Sequence, residues 1–367
     1  MSRIGPRGAA RVRDHRVGRQ NVLPAILSGV ALLLASCSSA APRADAPGTA
    51  PGSGLAAGAS TRASRPPLPA IPGSPAPGTS LSSRSWSAGS RLPLAVSEVG
   101  VAVLGTQVHV LGGYVDGHPG SRTHLVLNTV TGRWHQAAPL PAPLDHVGAV
   151  ALGDRLYAVG GYSSVPGGTR GVWSWDVATD AWTSRAPLPD RRAAGVAVVL
   201  DGRLHYIGGK TAGHATGEHD VYDAADDRWT LGPAMPTPRD HAAAAVVGGR
   251  LYVAGGRPGE VRTVEVYDPR SNAWTAAAPL PLGRSALAGA ALDGRFLVLG
   301  GEDAGEQHVL SQVDAYDPRT RRWSSLPNLP TALQGIGAAV VGDRLYLPGG
   351  GPVAGGSRQS ASLLVLG

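Results

Sequence analysis

Between residues 242 and 281 the chain alternates short apolar runs with turn-forming residues. Residues 242–247 are apolar, Gly248-Gly249 interrupts them, and Arg250-Leu251-Tyr252-Val253-Ala254 resumes the pattern up to Gly255-Gly256. After a polar loop come Val264-Glu265-Val266-Tyr267-Asp268, a turn, and Ala273-Trp274-Thr275, followed by Ala278-Pro279-Leu280-Pro281 leading into the next unit. Short apolar runs bounded by glycine, proline and aspartate predict four antiparallel strands per unit.

This unit repeats. Glycine pairs begin at Gly112, Gly160, Gly208, Gly255, Gly300 and Gly349, with periods of 48, 48, 47, 45 and 49 residues. Trp86, Trp134, Trp182, Trp229, Trp274 and Trp323 keep the same intervals. Two independent residue types in one register, over units of this length, predict a closed array of blades rather than separate domains. Glycine supplies backbone angles that residues with a Cβ avoid, and tryptophan supplies a large apolar face to wedge between blades. Both are structural roles. The first tryptophan has no glycine pair before it, and the last unit, ending in Leu363-Leu364-Val365-Leu366, has no tryptophan after it. The segment around Trp86 is therefore expected to complete the sixth blade, closing the ring and removing its exposed edges.

The second to fifth glycine pairs are each followed by an aromatic-Asp pair, with six residues between the aromatic and the next tryptophan: Trp175 to Trp182, Tyr222 to Trp229, Tyr267 to Trp274 and Tyr316 to Trp323, with Leu127 to Trp134, after the first pair, a weaker copy. This arrangement resembles the Kelch repeat, and it covers residues 84–367. The resemblance implies an all-β, six-bladed propeller of four-stranded blades, closed by an N-terminal strand that completes the last blade.

Composition agrees with many strands joined by turns, with 52 glycines, 31 prolines and Phe296 as the sole phenylalanine. The net charge of +7 suggests nucleic acid until its placement is considered. Arg3, Arg7, Arg11, Arg13, Arg16 and Arg19 against Asp14 put +5 of it within the first 36 residues. No basic stripe with interleaved aromatics remains to follow a phosphate backbone, so nucleic-acid binding is not expected.

Residues 1–36 read as an export signal, polar and arginine-rich up to residue 21 and apolar over 22–35. That run is short of the roughly 20 residues a membrane-spanning helix needs. It ends in Leu34-Ala35-Ser36-Cys37, which resembles the lipobox of bacterial lipoproteins and marks Cys37, the one cysteine, for lipidation. Residues 37–83, rich in Ala, Pro, Gly and Ser, read as a disordered tether. The expected location is extracytoplasmic, on the bacterial cell envelope, with the membrane reached through the lipid alone.

Loops between blades and loops after the glycine pairs are expected on one face, at the mouth of the central channel. The inter-blade loops carry Glu98, His146, Arg192, Arg239, His241 and Arg284; the other set carries Tyr114, Tyr162, Lys210, Arg257 and Glu302. Kelch propellers that bind peptides use Arg, Ser and Tyr at such positions, and His241 matches one usually occupied by Arg. His109 and His205 share a strand position with Tyr157, Tyr252 and Tyr346, and His124 and His219 share one with Val172, Val264 and Val313, so these four are expected to pack in strands. The other propeller histidines lie on separate loops that would have to lean inward to share an ion, so neither a metal nor a cofactor is expected. Copper radical oxidases also use Kelch propellers, but their cofactor needs a cysteine that this propeller lacks. No nucleophile elbow or zinc-protease helix occurs. The reading is a monomeric recognition module for a protein, peptide or glycan. The alternative is an enzyme resembling the periplasmic Kelch mutarotases of sialic acid, using Glu98, Glu302 and the mouth arginines.

Overall fold

A computed structural model describes residues 81–164, 166–259 and 262–367. The expected signal, Cys37 and nearly all of the tether lie outside the described residues. Six antiparallel four-stranded sheets follow one another along the chain, and no α-helix occurs among the described residues. Blade 1 comprises Gly100–Leu104, Gln107–Leu111, His124–Asn128 and Arg133–Gln136, from the axis outward; blades 2 to 5 repeat it. Blade 6 takes Ala339–Val341, Arg344–Pro348 and Leu363–Leu366 from the C-terminal end, and its outer strand is Trp86–Ala88, paired Trp86 with Leu366 and Ala88 with Leu364. The ring is closed by the strand that the sequence pattern assigned.

The glycine pairs do more than permit a turn. Each first glycine has φ between 56° and 72° and each second between 90° and 105°. A Cβ on Gly112, Gly160, Gly208, Gly255 or Gly300 would lie 2.5–2.6 Å from a backbone carbonyl oxygen of the next inter-blade loop. The second glycine of the pair donates its amide hydrogen to that same carbonyl, as Gly161 does to Arg192 at 2.9 Å. The pair thus seats the loop that leads into the following blade.

The tryptophans join the blades. The indole nitrogen of each of the six periodic tryptophans donates to the carbonyl four residues beyond the tryptophan of the preceding blade: Trp134 to Ser90, Trp182 to Ala138, Trp229 to Ala186, Trp274 to Pro233, Trp323 to Ala278 and Trp86 to Pro327, at 2.8–2.9 Å. The aspartates that follow the aromatics cap the outer hairpins, with Asp176, Asp223, Asp268 and Asp317 each accepting the amide two residues on.

Candidate functional site

Glu98, His146, Ala194, His241, Ala286 and Gly335 occupy one equivalent position in the six inter-blade loops, at intervals of 48, 48, 47, 45 and 49 residues. All six have φ between 50° and 57°. The amide of each donates to the carbonyl of its counterpart in the preceding blade, at 2.7–3.1 Å, and the six bonds form a closed circle. Because the bonds are purely backbone, the ring dictates no particular side chain. Ala194, Ala286 and Gly335 show that small residues suffice there.

Three of the six positions nevertheless carry ionisable side chains, and they converge. Glu98 Oε2 lies 3.0 Å from His146 Nε2, and the rings of His146 and His241 meet edge-on with centroids 4.8 Å apart. Each histidine is held by the aspartate just before it: Asp145 Oδ1 is 2.6 Å from His146 Nδ1, and Asp240 Oδ1 accepts from His241 Nδ1. Tyr114 and Tyr162 flank His146 with edge contacts at 5.8 and 5.3 Å. A Cβ at Gly335 would meet Glu98 Oε1 at 2.4 Å, so glycine there makes room for the carboxylate.

The charges reinforce one another. Burial favours the neutral form of Glu98, but His146, His241 and Arg257 outweigh it and hold the carboxyl at about 2. Burial likewise opposes a charged His146, yet Glu98 and Asp145 lift it to about 9. Burial, aided by Asp145 and Glu98, pushes the Tyr114 hydroxyl up to about 12, which keeps it a hydrogen-bond donor. His241, deprived of solvent and facing His146, is lowered.

Above the ring opens a cavity of about 640 Å³, lined by Tyr114, His146, Tyr162, Lys210, His241 and Arg257 among others. On its other side a narrower axial cavity of about 100 Å³ is bounded by Glu98, His146 and His241 with apolar walls such as Val147 and Leu287. The residues after the glycine pairs, Tyr114, Tyr162, Lys210, Arg257 and Glu302, bridge to the residues just before the ring positions, which explains why both sets of loops meet at the mouth.

Four residues read as mouth contacts are placed elsewhere. Arg192, Arg239 and Arg284 are at most 1% exposed and point beneath the loops. Arg192 pairs with Asp220 and Glu218, Arg239 with Glu265 at 2.9 Å and Arg284 with Asp314 at 2.9 Å. They staple each inter-blade loop to the third strand of the blade it enters. Glu302, 2% exposed, stands behind Arg257 rather than facing the cavity, and Arg257 is further tied to Asp240 and Glu306. The convergence of Glu98, His146 and His241 runs opposite to the expectation that mouth histidines stay apart. The ring lies on the axis, where all six blades meet, so no loop has to lean inward. The Asp-His pairs at 145–146 and 240–241, in one register, are the sequence signal for it.

A model of the Kelch motif matches residues 143–189, and one of the KLHDC2/KLHL20/DRC7 Kelch-repeats domain matches residues 230–350. No curated protein matches the chain. Among solved structures, one described as "Structure of YjhT" superposes with a TM-score of 0.67 at 16% identity, over 75% of this chain and 96% of that one. At that identity the likeness concerns the fold alone.

Proposed function

Because the chain is a Kelch-repeat β-propeller, we propose that it is a recognition protein whose mouth takes up a small polar ligand, a sugar or the end of a glycan or peptide, on the outer side of a bacterial membrane. The carrying observation is the uneven decoration of an even ring, in which Glu98, His146 and His241 stand where the backbone circle needs only alanine or glycine. The cavity volume suits a small ligand, and such sites combine a few placed polar groups with flat walls. Here Tyr114 and Tyr162 offer aromatic faces for a sugar ring, and Lys210 favours a ligand bearing a carboxylate. The Leu34-Ala35-Ser36-Cys37 sequence supports a lipid anchor, with residues 37–83 as the spacer between lipid and propeller.

A glycan and peptide array probed with the purified chain, and with a Tyr162→Ala/Lys210→Ala variant, tests the reading. Hits lost in the variant support the mouth as the site; hits that persist place recognition elsewhere and overturn it. A second reading, a mutarotase-like enzyme, is favoured by the Glu98 carboxylate facing the axial cavity 3.0 Å from His146. Interconverting sugar anomers requires one group to take the anomeric hydroxyl proton and another to protonate the ring oxygen. On this reading Glu98→Gln abolishes anomer exchange, followed by NMR, while binding of the same sugar survives.

A further inference from the structure

We propose that Glu98, His146 and His241 form a binding site for one divalent transition-metal ion, of the Zn²⁺ class, at the floor of the mouth. The inference goes beyond the recognition reading and holds whatever ligand the mouth accepts.

Its first support is convergence. One carboxylate oxygen and one imidazole nitrogen from each of two histidines lie within 4.8 Å of one another. In a tetrahedral zinc site with bonds of about 2.1 Å, donor atoms stand about 3.4 Å apart. Glu98 and His146 are already at 3.0 Å, so only the imidazole of His241 has to close in.

The second support is orientation. A metal-binding histidine usually gives its other ring N–H to a carboxylate, which fixes the tautomer and aims the free nitrogen at the ion. Both histidines here have that arrangement, built twice from the same Asp-His dipeptide, on Asp145 for His146 and on Asp240 for His241. With Nδ1 engaged, both Nε2 atoms are the ones presented to the shared centre.

The third support is an unmet need. His241 Nε2 has no hydrogen-bond partner, although its side chain is only 7% exposed. A buried ring nitrogen without a partner costs free energy unless something fills its lone pair. The ring fold does not demand this histidine, because Ala194 and Ala286 serve at the equivalent positions. Two imidazole nitrogens and one carboxylate oxygen suit zinc and its neighbours and leave a coordination position for an oxygen from the adjoining cavities. The carboxylates of Asp145 and Asp240, set behind the two imidazoles, add negative charge that suits a dication.

The test uses the purified full-length chain, stripped with a chelator, loaded with ZnCl₂ and passed over a sizing column before elemental analysis. The expected result is one zinc per chain, together with a raised thermal midpoint. His241→Ala, which places at this position the residue that blades 3 and 5 already carry, should lose the zinc and the thermal shift while keeping its β-sheet circular dichroism. Asp240→Asn should weaken zinc binding about 10–100-fold in calorimetric titration, and His214→Ala, on the exposed rim, should leave it unchanged. Substoichiometric zinc in the unaltered chain, or stoichiometric zinc that survives His241→Ala, overturns the proposal.

Discussion

At the scale of single residues, the six tryptophans each do two things, packing their rings along the blade seam and closing it with one hydrogen bond. Trp274→Phe keeps most of the ring but removes the bond to the Pro233 carbonyl. The expected loss is about 1 kcal/mol in denaturant unfolding, whereas Trp274→Ala should cost about 3–5 kcal/mol through lost packing as well. A phenylalanine variant as destabilised as the alanine variant would show that the bond, rather than packing, dominates the seam. These residues were legible in the sequence because their role demands one residue type at one interval. The ring residues were less so. Glu98, His146 and His241 could be assigned to the mouth by register, but their convergence depends on a circle of backbone bonds that selects no residue type. Only the repeated Asp-His dipeptide betrayed it.

At the scale of elements, the buried arginines follow a rule that runs through the whole chain. Blades 3, 4 and 5 pair an arginine two residues before the ring with an acid at the second place of the third strand: Arg192 with Asp220, Arg239 with Glu265, Arg284 with Asp314. Blades 1, 2 and 6 have Val96 and Leu125, Leu144 and Trp173, Leu333 and Leu364 in the same two places, each pair sharing an apolar cluster. Chain position alone put the arginines at the mouth; the matching acids were the sign that their side chains turn under the loop. Arg284→Leu alone strands Asp314 and should destabilise the fold by about 3–5 kcal/mol, while adding Asp314→Leu, which copies blade 6, should restore most of it. Urea midpoints of the four chains in that cycle decide the matter. The strand histidines form buried pairs, His109 with His124 and His205 with His219, ring nitrogen to ring nitrogen at 3.0 and 2.7 Å. Burial holds His109 at about 3 and His124 and His219 at about 4. An unfolded chain takes up these protons near pH 6.5 and the folded one does not, so stability is complete above that pH and declines below it. The slope is about 1.4 kcal/mol per pH unit for each ring that stays neutral. Replacing His109 and His205 with tyrosine, as in blades 2, 4 and 6, should flatten the decline in urea titrations between pH 7 and 5.

At the scale of the whole molecule, closure fixes everything at the axis. The backbone circle through Glu98 and Gly335 joins the first blade to the last, so the site exists only while the ring is shut. What shuts it is a segment of few residues. Leu81 is buried in the core between blades 5 and 6, Arg84 pairs with Asp293 at 3.0 Å and also reaches the Asp343 carbonyl, and Trp86–Ala88 pairs with Leu363–Leu366. A chain that begins at residue 81 retains all of these contacts; one that begins at residue 91 loses them and leaves Leu363–Leu366 as an exposed apolar edge. The longer of the two should therefore unfold at the higher urea concentration. The shorter one should unfold earlier and with a lower slope, because part of its surface is already open. Its mouth should weaken too, since blade 1 is then held to blade 6 only by the axial loops and the apolar seam between the two blades. Equal unfolding of the two truncated chains would mean that the axial ring and the neighbouring blade seams hold the propeller shut without the closing strand.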